Sequence, residues 1–135
     1  MNTRKGIWLD RKEAYIVTLR NGDHHLGIIP SGIDFRIREE GEGKEYTRFG
    51  NQYGTKEKAR EAKVEHQLKT YYKNIIEVLK EGGEVYIFGP AEAKHELHKA
   101  ISEQANGNVT ISAVESAGKL TENQIIAAVK KHFGV

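Results

Sequence analysis

The sequence predicts one α/β domain on a mixed sheet, in which an antiparallel meander precedes an αβαβα series. Three observations predict this class. Segments rich in β-forming residues, separated by turn residues, fill roughly the first forty positions. A long helical apolar period follows, and strand-length apolar segments then alternate with helices. Because such alternation implies parallel pairing through right-handed crossovers, one mixed sheet is expected, and 135 residues suit a single domain.

The N-terminal part of the chain contains four predicted strands. They are Lys5–Leu9, Ala14–Leu19, His25–Ile29 and Ile33–Ile37. The Asn21-Gly22 pair separates the second strand from the third, and both residues tolerate positive φ, which predicts a tight hairpin turn. Between positions 33 and 37, apolar and charged residues alternate with a period of two, which is the pattern of a half-buried strand.

A glycine-rich segment and a long helix follow the predicted strands. Residues 39–54 have no apolar period and contain four glycines, so we predict a flexible loop at about 39–55. Thr55 is a suitable N-cap for a helix that continues to Glu81, where Gly82-Gly83 ends it. The first two turns of this helix contain few apolar residues, so we expect them to project beyond the core.

The second half alternates strands and helices. Val85–Phe88 is a short buried strand, and the Gly89-Pro90 pair that follows predicts a helix with Pro90 at its first position. Val109–Val114 is the last predicted strand. Thr121 and Gln124 have the spacing of a capping box at the start of the last helix.

Composition excludes several classes of site. The chain has no cysteine, which rules out disulfides, thiolate metal sites, iron–sulfur clusters and a thiol nucleophile. The formal net charge is +2, which predicts no partner by itself. No apolar segment has the length of a membrane helix and no signal peptide is visible, so we expect a cytoplasmic protein with no membrane partner.

A strand meander followed by αβαβα also describes a ribonuclease-H-like architecture. The nucleases of this fold bind two metal ions through carboxylates, and Asp10 is the candidate for the first of these. The fourth strand of that architecture ends here in Gly89-Pro90 without a carboxylate, so we do not expect a metal-dependent nuclease. His95 and His98 lie three residues apart without an accompanying carboxylate pattern, and we interpret them as surface residues. We therefore predict neither a metal site nor a cofactor.

The basic residues are concentrated in one segment. Between positions 44 and 73 there are eight Lys or Arg residues and four Glu residues. Such a segment can contact RNA phosphates, or its charges can pair with one another on a solvated helix face. The candidate RNA-binding residues are Arg48, Lys56, Lys58, Arg60 and Lys63.

The assembled pattern resembles the middle domain of archaeal and eukaryotic class 1 peptide-chain release factors, which the rescue factor Pelota and bacterial relatives share. The resemblance covers nearly the whole chain, so residues 1–135 are interpreted as one domain of this kind. It implies the ribonuclease-H-like fold of several translation components, and the ribosome or tRNA as partner. The segments that carry it are Ile7–Asp10, Ala14–Val17, Val85–Leu97, Ile111–Gly118 and Thr121–Ile126.

The family motif Gly-Gly-Gln precedes the long helix of the release factors. Here Gly50, Asn51 and Gln52 stand at the corresponding place, with Asn51 in place of the middle glycine. In the family, the glutamine helps to position the water that attacks the peptidyl-tRNA ester. Two functions therefore stay open: an RNA- or ribosome-binding domain without chemistry of its own, and a peptidyl-tRNA ester hydrolase.

Overall fold

The structure, a computed structural model, describes residues 3–35, 50–104 and 108–135, and only the backbone of residues 50–56. The chain divides into two compact units: Met1–Ser31 with Tyr71–Val135, and Gly32–Thr70. In chain order the elements are β1 (Arg4–Leu9), β2 (Glu13–Arg20), β3 (Asp23–Pro30), α1 (Gly50–Val78), β4 (Gly83–Gly89), α2 (Ala93–Gln104), β5 (Val109–Ser116) and α3 (Glu122–Phe133).

The first unit contains a five-stranded mixed sheet in the order β3-β2-β1-β4-β5. The pairs β1–β2 and β2–β3 are antiparallel, whereas β1–β4 and β4–β5 are parallel. This arrangement confirms the predicted class, a meander followed by parallel strands with intervening helices. The predicted turn at Asn21 and Gly22 is also confirmed, since both residues have positive φ, at 50° and 87°.

One face of the sheet packs against α3. Trp8, Val17 and Phe88 form a buried cluster with Ile125 and Val129 of this helix. The approach is close at β1, because a Cβ on Gly6 would lie 2.2 Å from a methyl carbon of Val129. The helix begins with the predicted capping box: the Thr121 side chain accepts from the Gln124 backbone N–H, and the Gln124 side chain accepts from the Thr121 N–H.

The side chains that alternate with this cluster lie on the opposite face of the sheet. Ile7, Leu9 and Ile87 are fully buried there, and Leu97 of α2 and Ile75 of α1 are buried as well. The helix α2 contacts β1, β4 and β5. Burial on both faces explains why β4 is a continuous apolar segment, as expected of a central strand in a parallel pairing.

The structure corrects three of the predicted elements. The long helix begins at Gly50, where Thr55 was predicted, and ends at Val78, before the predicted Glu81. Its end comes early because the N–H of Leu79 bonds to the carbonyl of Ile76, three residues back, which tightens the last turn. The predicted flexible loop therefore overlaps the helix at residues 50–55, while residues 36–49 lie outside the described part.

The other two corrections concern a proline and a strand. Pro90 is not the first residue of α2, because Ala91 has φ of 52°, a left-handed conformation that a right-handed helix excludes. The helix accordingly begins at Ala93. In the strand predicted over Ile33–Ile37, the described residues 33–35 have irregular structure. The remaining two positions lie outside the described residues.

The second unit contains the N-terminal part of α1. Among the side chains described from 57 to 70, only Leu68 is buried. The Thr70 hydroxyl donates to the carbonyl of His66 at 3.2 Å, as helical Thr residues commonly do. Across the described ranges of the chain, none of the helices combines the length and apolarity needed to cross a bilayer.

Candidate functional site

The candidate RNA-binding residues lie on the N-terminal part of α1, which we call the basic half (residues 50–70). Lys58 and Lys63 are exposed and Arg60 is partly exposed. Lys56 lies on the helix, with only its backbone described, and Arg48 lies outside the described residues. The structure thus places four of the five predicted cations along one helix.

The spacing of these positions places most of them on one side of the helix. An α-helix turns by about 100° per residue, so positions four and seven residues apart share a side. Lys56, Arg60 and Lys63 have this spacing and define one stripe of the backbone, whereas Lys58 belongs to the opposite side. A stripe of cations at helical spacing can follow a line of phosphates.

The candidate catalytic residues belong to the first turn of the same helix. Gly50 is the first residue of α1, so Asn51 and Gln52 have a helical backbone where a loop was predicted. Gln52 stands four residues before Lys56 and therefore lies on the same side of the helix as the cationic stripe, nearer the helix N-terminus. Because the candidate catalytic residues and four of the candidate RNA-binding residues lie on one helix, their backbone spacing is fixed.

Asp10, the candidate for a nuclease carboxylate, has a structural role in the β1–β2 hairpin. Its Oδ1 atom accepts the backbone N–H groups of Lys12 and Glu13 at 2.8 and 2.9 Å. Its carbonyl accepts the hydroxyl of Tyr71 at 2.9 Å. Among the described residues, no three His, Asp or Glu side chains form a group that could hold a metal ion.

The turn after β4 is closely packed. Gly89 has φ of 148°, and a Cβ there would lie 2.3 Å from the carbonyl oxygen of Leu9, so only glycine fits. The ammonium group of Lys94, which is 4% exposed, donates to the carbonyl of Ala91. These contacts fix the turn at the start of α2 and indicate a structural strand-to-helix connection.

Glu96 of α2 lies between two donors near this turn. Arg11 donates to its Oε2 at 2.6 Å and the Tyr72 hydroxyl donates to its Oε1 at 2.5 Å. Burial raises the pKa of Glu96, but the two hydrogen bonds outweigh it and hold that pKa below its usual value. The carboxylate is therefore charged, and both its oxygens accept hydrogen bonds. These bonds connect the β1–β2 hairpin and α1 to α2, which is a structural role.

Sequence reasoning missed a polar cavity at the Asn21–Gly22 end of the sheet. Lys5 is only 1% exposed, and its ammonium group donates to Glu81 Oε1 at 2.7 Å. Arg20 donates to the other carboxylate oxygen of the same residue. The available signal was a lysine on the apolar side of a strand, two residues before the buried Ile7.

The sheet order and the three helices of the described residues define an α/β domain, and comparisons with known proteins narrow this class. No protein-family model matches the chain, and no curated protein matches its sequence. The Pelota protein of Thermoplasma acidophilum superposes with a TM-score of 0.57 and 15% identity, over 96% of this chain and 32% of that chain. The archaeal translation termination factor aRF1 gives 0.55 and 17%, over 99% and 35%.

These two structures confirm the expected fold. The chain spans about a third of the length of each, and it has the α/β fold that this part of Pelota and aRF1 has. At this level of identity the likeness concerns the fold alone.

Proposed function

We propose that this protein is a translation-associated domain that binds the ribosome or tRNA through the basic half of α1. The observation that carries the proposal is the stripe formed by Lys56, Arg60 and Lys63, which stands on the long helix of a domain with the fold of aRF1 and Pelota. One of these structures is a translation termination factor. The cytoplasm, where ribosomes work, is the compartment that we propose with it.

The exposed and largely polar surface of the basic half favours RNA over a protein partner. From residue 57 to residue 70 the described side chains are almost all exposed or partly exposed, and few are apolar. A docking surface for another protein usually has an apolar centre, whereas RNA binding needs cations that replace condensed counterions. The exposed cations Lys58 and Lys63 can reach phosphates on either side of the helix.

The experiment is cosedimentation with ribosomes across a salt series. The four-site variant replaces the four helical cations with glutamine, and we expect it to bind more weakly with a shallower dependence on salt. Each lost phosphate contact lowers the slope of log affinity against log salt by about 0.7–0.9. The substitutions are Lys56→Gln, Lys58→Gln, Arg60→Gln and Lys63→Gln.

A matched control removes four positive charges from exposed lysines outside the basic half. Equal losses of affinity and slope in the two variants would show that only net charge matters, and would contradict a defined RNA site. Unchanged binding in the four-site variant would contradict it as well. The control substitutions are Lys12→Gln, Lys99→Gln, Lys119→Gln and Lys131→Gln, all at exposed positions.

The second candidate is a peptidyl-tRNA ester hydrolase that uses the Gly50-Asn51-Gln52 segment. The observation that favours it is the position of Gln52, four residues before Lys56 on the long helix. An amide side chain both donates and accepts hydrogen bonds, so it can orient an attacking water. The ribosome would supply the rest of the site, and the cationic stripe would dock the segment against RNA.

Peptide release from stalled ribosomes tests this second function. Gln52→Ala should lower release strongly and leave ribosome binding nearly unchanged, because the amide would act on the transition state only. Asn51→Gly should keep or raise the activity, since it restores the glycine of the release-factor motif. If the wild-type chain binds ribosomes and releases no peptide in any tRNA-site state, the hydrolase is excluded and ribosome binding is the function that remains.

A further inference from the structure

We propose that the polar cavity between the Asn21–Gly22 hairpin and the end of α1 binds a phosphate group. The cavity has a volume of about 290 Å³, and its polar lining includes Lys5, Thr18, Arg20 and Glu81. It shares no residue with the proposed RNA-binding stripe, so the two proposals stand or fall separately. Its size is near the lower end of small-molecule sites and exceeds what a single phosphate group fills.

The ammonium group of Lys5 is buried at this cavity. This residue is 1% exposed, and among the described residues its Nζ atom has one acceptor, Glu81 Oε1 at 2.7 Å. An ammonium group has three donors, and leaving buried donors without acceptors is costly. Because Lys5 lines the cavity, an oxygen-rich anion bound there supplies the missing acceptors.

Two cations of the cavity depend on the same carboxylate. Lys5 and Arg20 share a single carboxylate, since they donate to different oxygen atoms of Glu81. The Lys5 ammonium lowers the pKa of Glu81, so this carboxylate stays ionised and both its oxygens are engaged. Asp23 also lines the cavity, so the lining has two cations and two carboxylates, and the spare N–H donors of Lys5 and Arg20 rather than a net charge favour an anion.

The remaining donors fit phosphate better than a carboxylate ligand. The guanidinium of Arg20 has five N–H donors, of which one nitrogen is committed to Glu81, and the hydroxyl of Thr18 adds another donor. His25, which pairs with Thr18 across the β2–β3 ladder, also lines the cavity. Phosphate offers more acceptor oxygens than a carboxylate and matches this excess of donors. Asp23 lines the same cavity, and its negative charge disfavours a bound anion.

The test is an NMR titration of the full chain with inorganic phosphate, in which the backbone amide signals are followed. We expect saturable shifts at residues that line the cavity, and we expect Arg20→Gln to weaken binding about tenfold, as for the loss of one charge-assisted contact. Asp23→Asn should tighten binding by roughly threefold, because it removes a like charge. A purely structural role for Asp23 would not produce tighter binding.

The control for Arg20→Gln is Arg11→Gln. Arg11 is also half-exposed and paired with one glutamate, Glu96, but it lies outside the cavity. We expect it to leave phosphate affinity unchanged. Shifts that do not saturate, equal weakening in the two arginine variants, or no gain in Asp23→Asn would each overturn the proposal. These variants leave the buried Lys5 and its hydrogen bond to Glu81 in place.

Two further titrations distinguish the sources of the phosphate. If it belongs to a free phosphomonoester, ribose 5-phosphate shifts the same amides at lower concentration than inorganic phosphate, and a short RNA does not shift them. If it belongs to an RNA backbone, the short RNA shifts them and Arg20→Gln weakens the effect. Either result supports the phosphate site, whereas the absence of shifts with all three probes overturns it.

Discussion

The two halves of α1 differ in what they contact, although they are parts of one continuous helix. In the basic half, Leu68 is the only buried residue among the side chains described from 57 to 70. In the remaining part, which we call the apolar half (residues 71–78), Tyr71, Tyr72 and Ile75 are all buried. Stability and the proposed binding function therefore belong to different stretches of the same helix, so substitutions can separate them.

The largest expected effect is the loss of stability in Ile75→Ala. Ile75 is fully buried, so truncation removes its transfer free energy and leaves a cavity, which costs about 2–5 kcal/mol. Urea denaturation measures the free energy of unfolding. The control is Val64→Ala in the basic half, where Val64 is partly exposed and the expected loss is below about 1 kcal/mol. Equal losses in the two variants would contradict the division of the helix.

The apolar half was predictable from the sequence because periodicity reports burial directly. Tyr71, Ile75 and Leu79 recur at helical spacing, and all three are buried. The early start of the same helix was not predictable, since Gly50 and Asn51 are poor helix formers and only the chain that follows extends the helix through them. Periodicity thus located the helix, whereas local propensity did not predict where it begins.

The polar cavity illustrates the other limit of sequence reasoning. Lys5 and Glu81 are separated by 76 positions, and Arg20 and Glu81 by 61. Only the register of β1 against β2 and the path of α1 bring them together, and no local pattern encodes either. The left-handed φ of Ala91 was not predictable either, because alanine by itself disfavours this conformation.

A smaller effect is expected from Tyr71→Phe, which tests a polar contact of the apolar half. The substitution keeps the buried ring and removes the hydroxyl that donates to the carbonyl of Asp10 at 2.9 Å. The loss of one such hydrogen bond should lower the free energy of unfolding by about 1 kcal/mol. A stability equal to that of the wild type in urea denaturation would show that this hydrogen bond contributes nothing net.

The residues that follow the apolar half give a pH prediction. The hydrogen bond from Lys5 lowers the pKa of Glu81 in the folded chain, so the unfolded chain binds its proton more readily. This contribution to stability is present above the ordinary pKa of glutamate, at about 4.3, and is lost as the pH falls through the lowered pKa. Glu81→Gln should therefore flatten the acid side of the stability profile.

Urea denaturation at several acidic pH values measures this flattening. The control is Glu103→Gln on α2, which removes an exposed carboxylate. We expect the control to follow the wild-type profile. An acid dependence in Glu81→Gln as steep as that of the wild type would show that the shared ion pair does not contribute to acid sensitivity.

The smallest expected change in stability belongs to the four-site variant of the basic half. Lys58 and Lys63 are exposed, and surface substitutions of this kind usually change the free energy of unfolding by less than about 0.5 kcal/mol. The same variant is expected to lose ribosome affinity, so its urea denaturation curve should overlay that of the wild type while its binding curve does not. If its stability fell by as much as that of Ile75→Ala, the basic half would be part of the core energetics, and weaker ribosome binding could no longer be assigned to lost phosphate contacts.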